Sequence, residues 1–156
     1  MTSTIHLVAG RTGAGKTAYA RDLADRAEGM SFSINEWMFA LFGADMPTLL
    51  DSEWIFTRVK RCNEHIMHTA ISRRLDVVLD LGFTRVADRA AAAELARTKG
   101  LKIKLHWLDF PTGERWARVE ARNAERGPTY SFAITRQMSD FMEARVEELD
   151  EDECFC

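Results

Sequence analysis

Gly10-Arg11-Thr12-Gly13-Ala14-Gly15-Lys16-Thr17 decides how this chain folds. The stretch reads G-x-x-x-x-G-K-T, the Walker A pattern of a phosphate-binding loop. Its flanks matter as much as its letters. Thr4-Ile-His-Leu-Val-Ala9 is a short apolar strand running into Gly10, and a helix is predicted from Lys16 to about Ala27, with Ala18, Ala20, Leu23, Ala24 and Ala27 on its apolar side. A strand, a glycine-rich turn and a helix in that order let backbone N–H groups converge on an anion at the positive end of the helix dipole. The loop predicts phosphate contacts from residues 10–17. Lys16 would reach the β- and γ-phosphates of ATP, and the Thr17 hydroxyl would ligate Mg²⁺.

Outward from the loop, strand and helix patterns alternate. Residues 30–34 alternate as a strand, a short helix runs from Glu36 to Phe42, and Asp51 caps a long helix reaching about Arg74. Asp76-Val-Val-Leu-Asp-Leu-Gly82 reads as the most buried strand. Asp88 to Lys99 is an alanine-rich helix closed by Gly100, and residues 102–108 alternate as another strand. Thr112 caps an arginine-rich helix to about Glu125, and Thr135 caps a last helix to about Leu149. Parallel strands need crossovers, so the alternation predicts a single three-layer α/β/α domain over 1–156. Its mostly parallel sheet would have about four to five strands.

Composition agrees with a globular domain and excludes several classes. The 156 residues are 46% hydrophobic and 29% charged, as in soluble proteins, and no apolar run approaches a membrane span. With three cysteines, Cys62, Cys154 and Cys156, a disulfide framework is disfavoured and a reducing cytoplasm is the simpler expectation. The net charge of −3 is uneven: residues 143–153 hold seven acids against Arg145, so the rest of the chain is net positive. That suits an anionic ligand, yet the bias is too weak to imply nucleic acid. The acidic end, about 147–156, is expected to be solvated and frayed.

Two further patterns carry chemistry. In Val77-Val-Leu-Asp80-Leu-Gly82, apolar residues buried on both faces end in a carboxylate at the edge where parallel sheets bind ligands. Asp80 is therefore a candidate for the Mg²⁺ water shell or the acceptor hydroxyl, alongside Thr17; the alternative is an Asp that only ends a strand. Arg115, Arg118, Arg122 and Arg126 are spaced 3, 4 and 4 apart, which puts them on one helical face suited to clamping phosphates. The competing reading is a solvated, salt-bridged helix. Trp37, Phe39, Phe42, Trp54 and Phe56 gather in sequence as stacking surface or core, with Met38, Met46 and Met138 as adaptable additions. His65 and His68 lack a third ligand, and nothing distinguishes His6 and His106 from core histidines.

Together these motifs resemble the small P-loop kinases, in the broad group of polynucleotide kinase, zeta toxin, chloramphenicol phosphotransferase and shikimate kinase. The chain is most similar to the AAA-type predicted kinases of bacterial genomes. The resemblance runs from Thr4 to about Glu153. It implies transfer of the γ-phosphoryl group of ATP, with Mg²⁺, to a hydroxyl of an antibiotic-, sugar- or nucleoside-like small molecule by a monomer or homodimer. It further implies an arginine lid over about 112–130, in which Arg118 and Arg122 match best, and an acceptor wall around Trp37. After the second strand such kinases carry an Asp that takes the acceptor's proton, followed by an Arg. Here the position is Asn35 and the Arg is absent. An amide is no useful base, so either the base is lost, or Glu36 or Asp80 serves, or Asn35 caps the following helix. Asp88-Arg89 resembles a pair that approaches the transferred phosphate, with a helix-surface Arg as the alternative. A nucleic-acid or sugar-nucleotide kinase and a regulatory ATP-binding protein are the competing functions.

Overall fold

A computed structural model describes residues 3–43, 53–128 and 130–153. Four strands and six helices alternate along them: β1 (Thr4–Gly10), α1 (Lys16–Arg26), β2 (Met30–Ser33), α2 (Ile34–Phe42), α3 (Glu53–Ser72), β3 (Val77–Asp80), α4 (Val86–Thr98), β4 (Lys102–Leu108), α5 (Thr112–Glu125) and α6 (Arg136–Glu143). The sheet order is β2-β3-β1-β4 and every pairing is parallel.

Period-two alternation sorts the strand residues between two helical layers. Ile5, Leu7 and Ala9 of β1, Val77 and Leu79 of β3 and Ile103 of β4 face one core. Ile66, Ala70 and Ile71 of α3 and Ala92 and Ala96 of α4 fill it. Val8 and Val78 face the other side, against Ala20 and Ala24 of α1. All four residues of β3 are buried, as expected for a strand covered on both faces. This is the three-layer α/β/α arrangement that the alternation predicts, at the lower end of the strand count.

Several boundaries differ from the sequence reading. α2 begins at Ile34, with Ser33 at its N-cap position, so Asn35 lies in the first turn and is not the cap. Pro111, not Thr112, precedes α5; Thr112 instead accepts a hydrogen bond from Arg115 Nη2 at 3.1 Å. Thr135 does cap α6, accepting from the Met138 N–H at 3.2 Å, but that helix stops at Glu143. Met38 and Met138 are core residues, not adaptable surface. Asp51, Met46, Cys154, Cys156 and the side chains of Trp54 and Phe56 lie outside the described residues.

The largest departure is the acidic end. It packs back onto the body through two arginines. Arg89 is fully buried. Its Nε and Nη2 each donate to a Glu153 carboxylate oxygen at 2.6 Å, and it also donates to the carbonyls of Phe83, Glu147 and Glu148 at 3.0–3.1 Å. The Glu147 N–H bonds the Thr84 carbonyl at 2.8 Å, and the Glu147 carboxylate accepts from the Val86 N–H at 2.7 Å. Arg11 pairs with Glu143 and Glu148. The cationic excess of the body thus finds its counter-charge within the chain. Arg89 is neither a phosphate ligand nor a surface residue; it is the tail's anchor.

Candidate active site

The loop between β1 and α1 lies at the C-terminal edge of the sheet. Gly13 and Gly15 have φ of +80° and +87°, which an L side chain rarely adopts. Space is restricted too: a Cβ on Gly13 would collide with the Arg115 carbonyl, and one on Gly15 would sit 3.2 Å from Arg118 Nη2. α5 therefore rests directly on the loop. Gly15 occupies the N-cap of α1 without any side-chain cap, leaving first-turn N–H groups for whatever enters the loop.

Lys16 curls back, its Nζ donating to the Arg11 carbonyl at 2.9 Å. Burial pushes its ammonium below the usual lysine range; Asp80 pulls it back up, while Arg122 and Arg115 add to the depression. The Thr17 hydroxyl donates to Asp80 Oδ2 at 2.8 Å. Asp80, 2% exposed, is raised above the usual carboxylate range by burial and by Glu36, and held back by Lys16 and Thr17. An ammonium, a hydroxyl and a carboxylate from residues 16, 17 and 80 thus form one cluster. Oxygen donors of this kind suit a hard cation such as Mg²⁺.

Two other buried polar groups lie near the C-terminal ends of β2 and β3. Ser33 stands opposite Asp80 in the β2–β3 register. Its Oγ is buried without a well-formed hydrogen bond, and its hydroxyl, on the same face as Asp80, helps to hold that carboxyl down against burial. Asn63 of α3 donates to the Leu81 carbonyl at 2.8 Å, leaving its own Oδ1 buried and unpartnered. Neither residue has a motif around it, and only the sheet register or the helix packing brings it here.

The four arginines of α5 separate into distinct roles. Arg115 is 5% exposed and fully committed. It makes a two-pronged pair with Glu143 at 3.0 Å and donates to the Phe110 and Thr12 carbonyls at 2.8 and 3.3 Å. It braces the loop from beneath. Arg118 is exposed, its guanidinium over the Phe110 ring at 4.6 Å and close above Gly15. Arg122 is partly buried and its Nε has no partner; burial lowers its pKa, and its charge is felt at Lys16. Arg126 lies past the helix end at φ +50°, over the Tyr130 ring at 5.6 Å. Three of the four therefore lie toward the loop, as the spacing predicts, and only Arg126, beyond the helix end, departs from that face. Arg118 and Arg122 keep guanidinium groups free over the loop, Arg115 is tied to the loop and Glu143 as a brace, and Arg126 stands apart. Asn123 is structural as well, exchanging two hydrogen bonds with the Ile134 backbone at 2.8 and 3.0 Å.

On the β2 side, Glu36 pairs with Arg21, which also donates to the Pro128 carbonyl at 2.7 Å. That bridge links α1, α2 and the segment after α5. Asn35 is partly buried beside it. Trp37 and Phe39 are 44% and 45% exposed. On the opposite side of the loop an open cavity of about 500 Å³ is lined by Arg11, Phe110, Thr112, Arg115 and Glu143 among others. Elsewhere, His6 Nδ1 and His106 Nε2 are 2.9 Å apart, and His106 Nδ1 is 2.8 Å from the Tyr19 hydroxyl, so these histidines form a chain beneath α1. His65 and His68 are exposed, and no metal-binding group of three His, Cys, Asp or Glu occurs among the described residues.

The family description "AAA domain" matches residues 5–149, nearly the whole chain. The chain belongs to this AAA domain family. No curated protein matches it. Among solved structures it is similar to a chain of the Pnkp1/Rnl/Hen1 RNA repair complex, with 16% identity and a TM-score of 0.68 over 92% of this chain and 44% of the other. This AAA domain protein thus spans less than half of that relative. It is also similar to Chaetomium thermophilum Kti12 in complex with ADP-AlF3, with 18% identity and a TM-score of 0.65 over 92% of this chain and 80% of the other. Shikimate kinase from Acinetobacter baumannii, in complex with shikimate, gives 19% identity and a TM-score of 0.55 over 93% and 74%. At these identities the likeness establishes the P-loop fold. Among the described residues no helix is long and apolar enough to cross a membrane.

Proposed function

We propose that this AAA domain protein is an ATP- and Mg²⁺-dependent kinase that phosphorylates a hydroxyl of a small molecule. The observation that carries this reading is the convergence of Lys16, Thr17, Asp80 and the guanidinium of Arg118 on one glycine-rich loop. Phosphoryl transfer asks little covalent chemistry of a protein; it asks for positioning and for cations around the transferring group. Lys16 and the loop N–H groups hold the phosphates. Arg118 and Arg122 supply positive charge from above, and the unpartnered Nε of Arg122 is a donor held ready for an anion.

Thr17 and Asp80 are the residues that would hold Mg²⁺, which supplies charge neutralisation between the phosphates when bound. The cavity beside Arg11 and Phe110 has the volume and aromatic wall for a nucleotide base. The acceptor belongs on the β2 side, where Glu36 offers a partly exposed carboxylate and Trp37 a ring. Glu36 is the group positioned to take the acceptor's proton, with Arg21 fixing its direction.

One observation favours a second reading, an ATP-binding regulatory protein with little catalysis: Asn35, at the position where the resembling kinases carry an acid, is not explained as a helix cap. A panel of hydroxylated compounds incubated with γ-labelled ATP and Mg²⁺ separates the two. Label transfer to at least one neutral hydroxyl compound supports the kinase. ATP binding without transfer to any compound, for both the natural chain and Asn35→Asp, refutes it in favour of regulation.

A further inference from the structure

Ser33 is the best-placed side chain that the reading above leaves without a task. It is 5% exposed, and its Oγ is one of three buried polar side-chain atoms without a hydrogen-bond partner among the described residues. It also occupies the N-cap of α2, the position where a serine ordinarily accepts from a first-turn N–H. It makes no such bond, whereas Thr135 at the equivalent position of α6 does. A buried hydroxyl that declines the bond its own backbone offers lowers stability. The polar group in its reach is Asp80, whose carboxylate it helps to stabilise.

Its direction suggests the reason. Ser33 and Asp80 are partners in the parallel β2–β3 ladder, so their side chains leave the sheet on the same face. Asp80 on that face receives the Thr17 hydroxyl at 2.8 Å. Three oxygen-bearing side chains, from the loop helix and two adjacent strands, therefore converge. Mg²⁺ keeps several of its waters and takes only one or two protein ligands, so such a site also needs protein groups to hold those waters.

We infer that the Ser33 hydroxyl is a positioning group of the metal end of the phosphate site, holding water of a bound divalent cation's shell beside Thr17 and Asp80. This rests on the kinase reading only in that the loop binds a metal–nucleotide complex; it requires no phosphoryl transfer. A hydroxyl serves because it both donates and accepts. Unlike a carboxylate, it adds no second buried negative charge next to Asp80.

The test is calorimetric binding of ATP across a Mg²⁺ titration, and in EDTA, for the natural chain, Ser33→Ala and the hydroxyl-retaining Ser33→Thr, with melting temperatures of all three. In Ser33→Ala the Mg²⁺ concentration needed for tight ATP binding should rise about tenfold, the usual scale for losing a group that supports a metal's ligands. Its binding in EDTA should not change, and its melting temperature should change little. Ser33→Thr should keep the natural Mg²⁺ dependence. An unchanged Mg²⁺ dependence in Ser33→Ala overturns the inference. So does a fall in melting temperature with an equal loss of binding in EDTA, which makes Ser33 structural. If the natural chain binds no ATP at any Mg²⁺ concentration, the phosphate-loop reading itself fails, a result plainly distinct from these.

Discussion

Replacing Arg89 by Met should release the acidic end of the chain and destabilise the whole domain. Arg89 is fully buried and holds both Glu153 oxygens and three backbone carbonyls. Methionine keeps the apolar stem but none of the five hydrogen bonds. Removing one partner of a buried pair typically costs about 3–5 kcal/mol. Here the Glu153 side chain is 9% exposed, so its carboxylate regains water once the tail swings away, and the lower end of that range, ~3 kcal/mol, is expected. For a domain of this size that is a fall in melting temperature of roughly 6–12 °C.

The reverse truncation, Glu153→Gln, keeps an acceptor for Arg89 and leaves its three carbonyls in place. It should cost less, about 1.5 kcal/mol, the lower end of the scale of hydrogen bonds to a charged group. Urea unfolding followed by tryptophan fluorescence measures both. Limited proteolysis should cut near residues 147–153 much faster in Arg89→Met. A loss below about 1 kcal/mol, with unchanged proteolysis, would refute the claim that Arg89 anchors the tail.

Four further outcomes concern the site and the strand faces. Arg122→Ala should lower kcat by about 100-fold with little change in ATP affinity, as for loss of one donor to a developing charge. Arg115→Ala should instead lower the urea midpoint, because it strips the brace between the loop and Glu143; the reverse pattern would contradict the division of roles. The direct His6–His106 hydrogen bond requires a neutral ring as acceptor, and burial lowers both pKa values; Lys104 adds to it at both rings and the His6 charge adds to it at His106, while Asp76 partly opposes it at His6. The unfolded chain takes up protons more readily than the folded one, so stability should be greatest above the ordinary histidine range and fall as pH drops from about 8 to about 5. His106→Phe should flatten that slope in urea titrations, and an unaltered slope would contradict the account. Asn35→Asp should raise phosphate transfer several-fold if Asn35 stands where an acid once worked; a decrease would show that the amide itself is needed.

Much of this was legible in the letters. A motif lying between an apolar strand and a helix placed the loop, and the run Val77–Asp80 marked a strand buried on both faces because no polar residue comes before the carboxylate. What the sequence did not reveal depends on long-range pairing. Spacing put Arg115, Arg118, Arg122 and Arg126 on one face, yet which of them is locked depends on Glu143 arriving from α6. Arg89 reads as a ligand or surface group because all its partners but Phe83 lie 58 to 64 residues later. The acidic run read as frayed because charge density alone ignores the buried cation waiting for it. Ser33 left no pattern at all; the register with Asp80 is what gives it a neighbour.

The central claim is that residues 10–17 hold the phosphates of a nucleotide, with Lys16 as their charge partner. Calorimetric titration of ATP with Mg²⁺ into the natural chain and into Lys16→Ala tests it most directly. Saturable one-to-one binding that weakens at least tenfold in a folded Lys16→Ala variant is the predicted result. Equal affinity in the two proteins, or no binding to either, would contradict it.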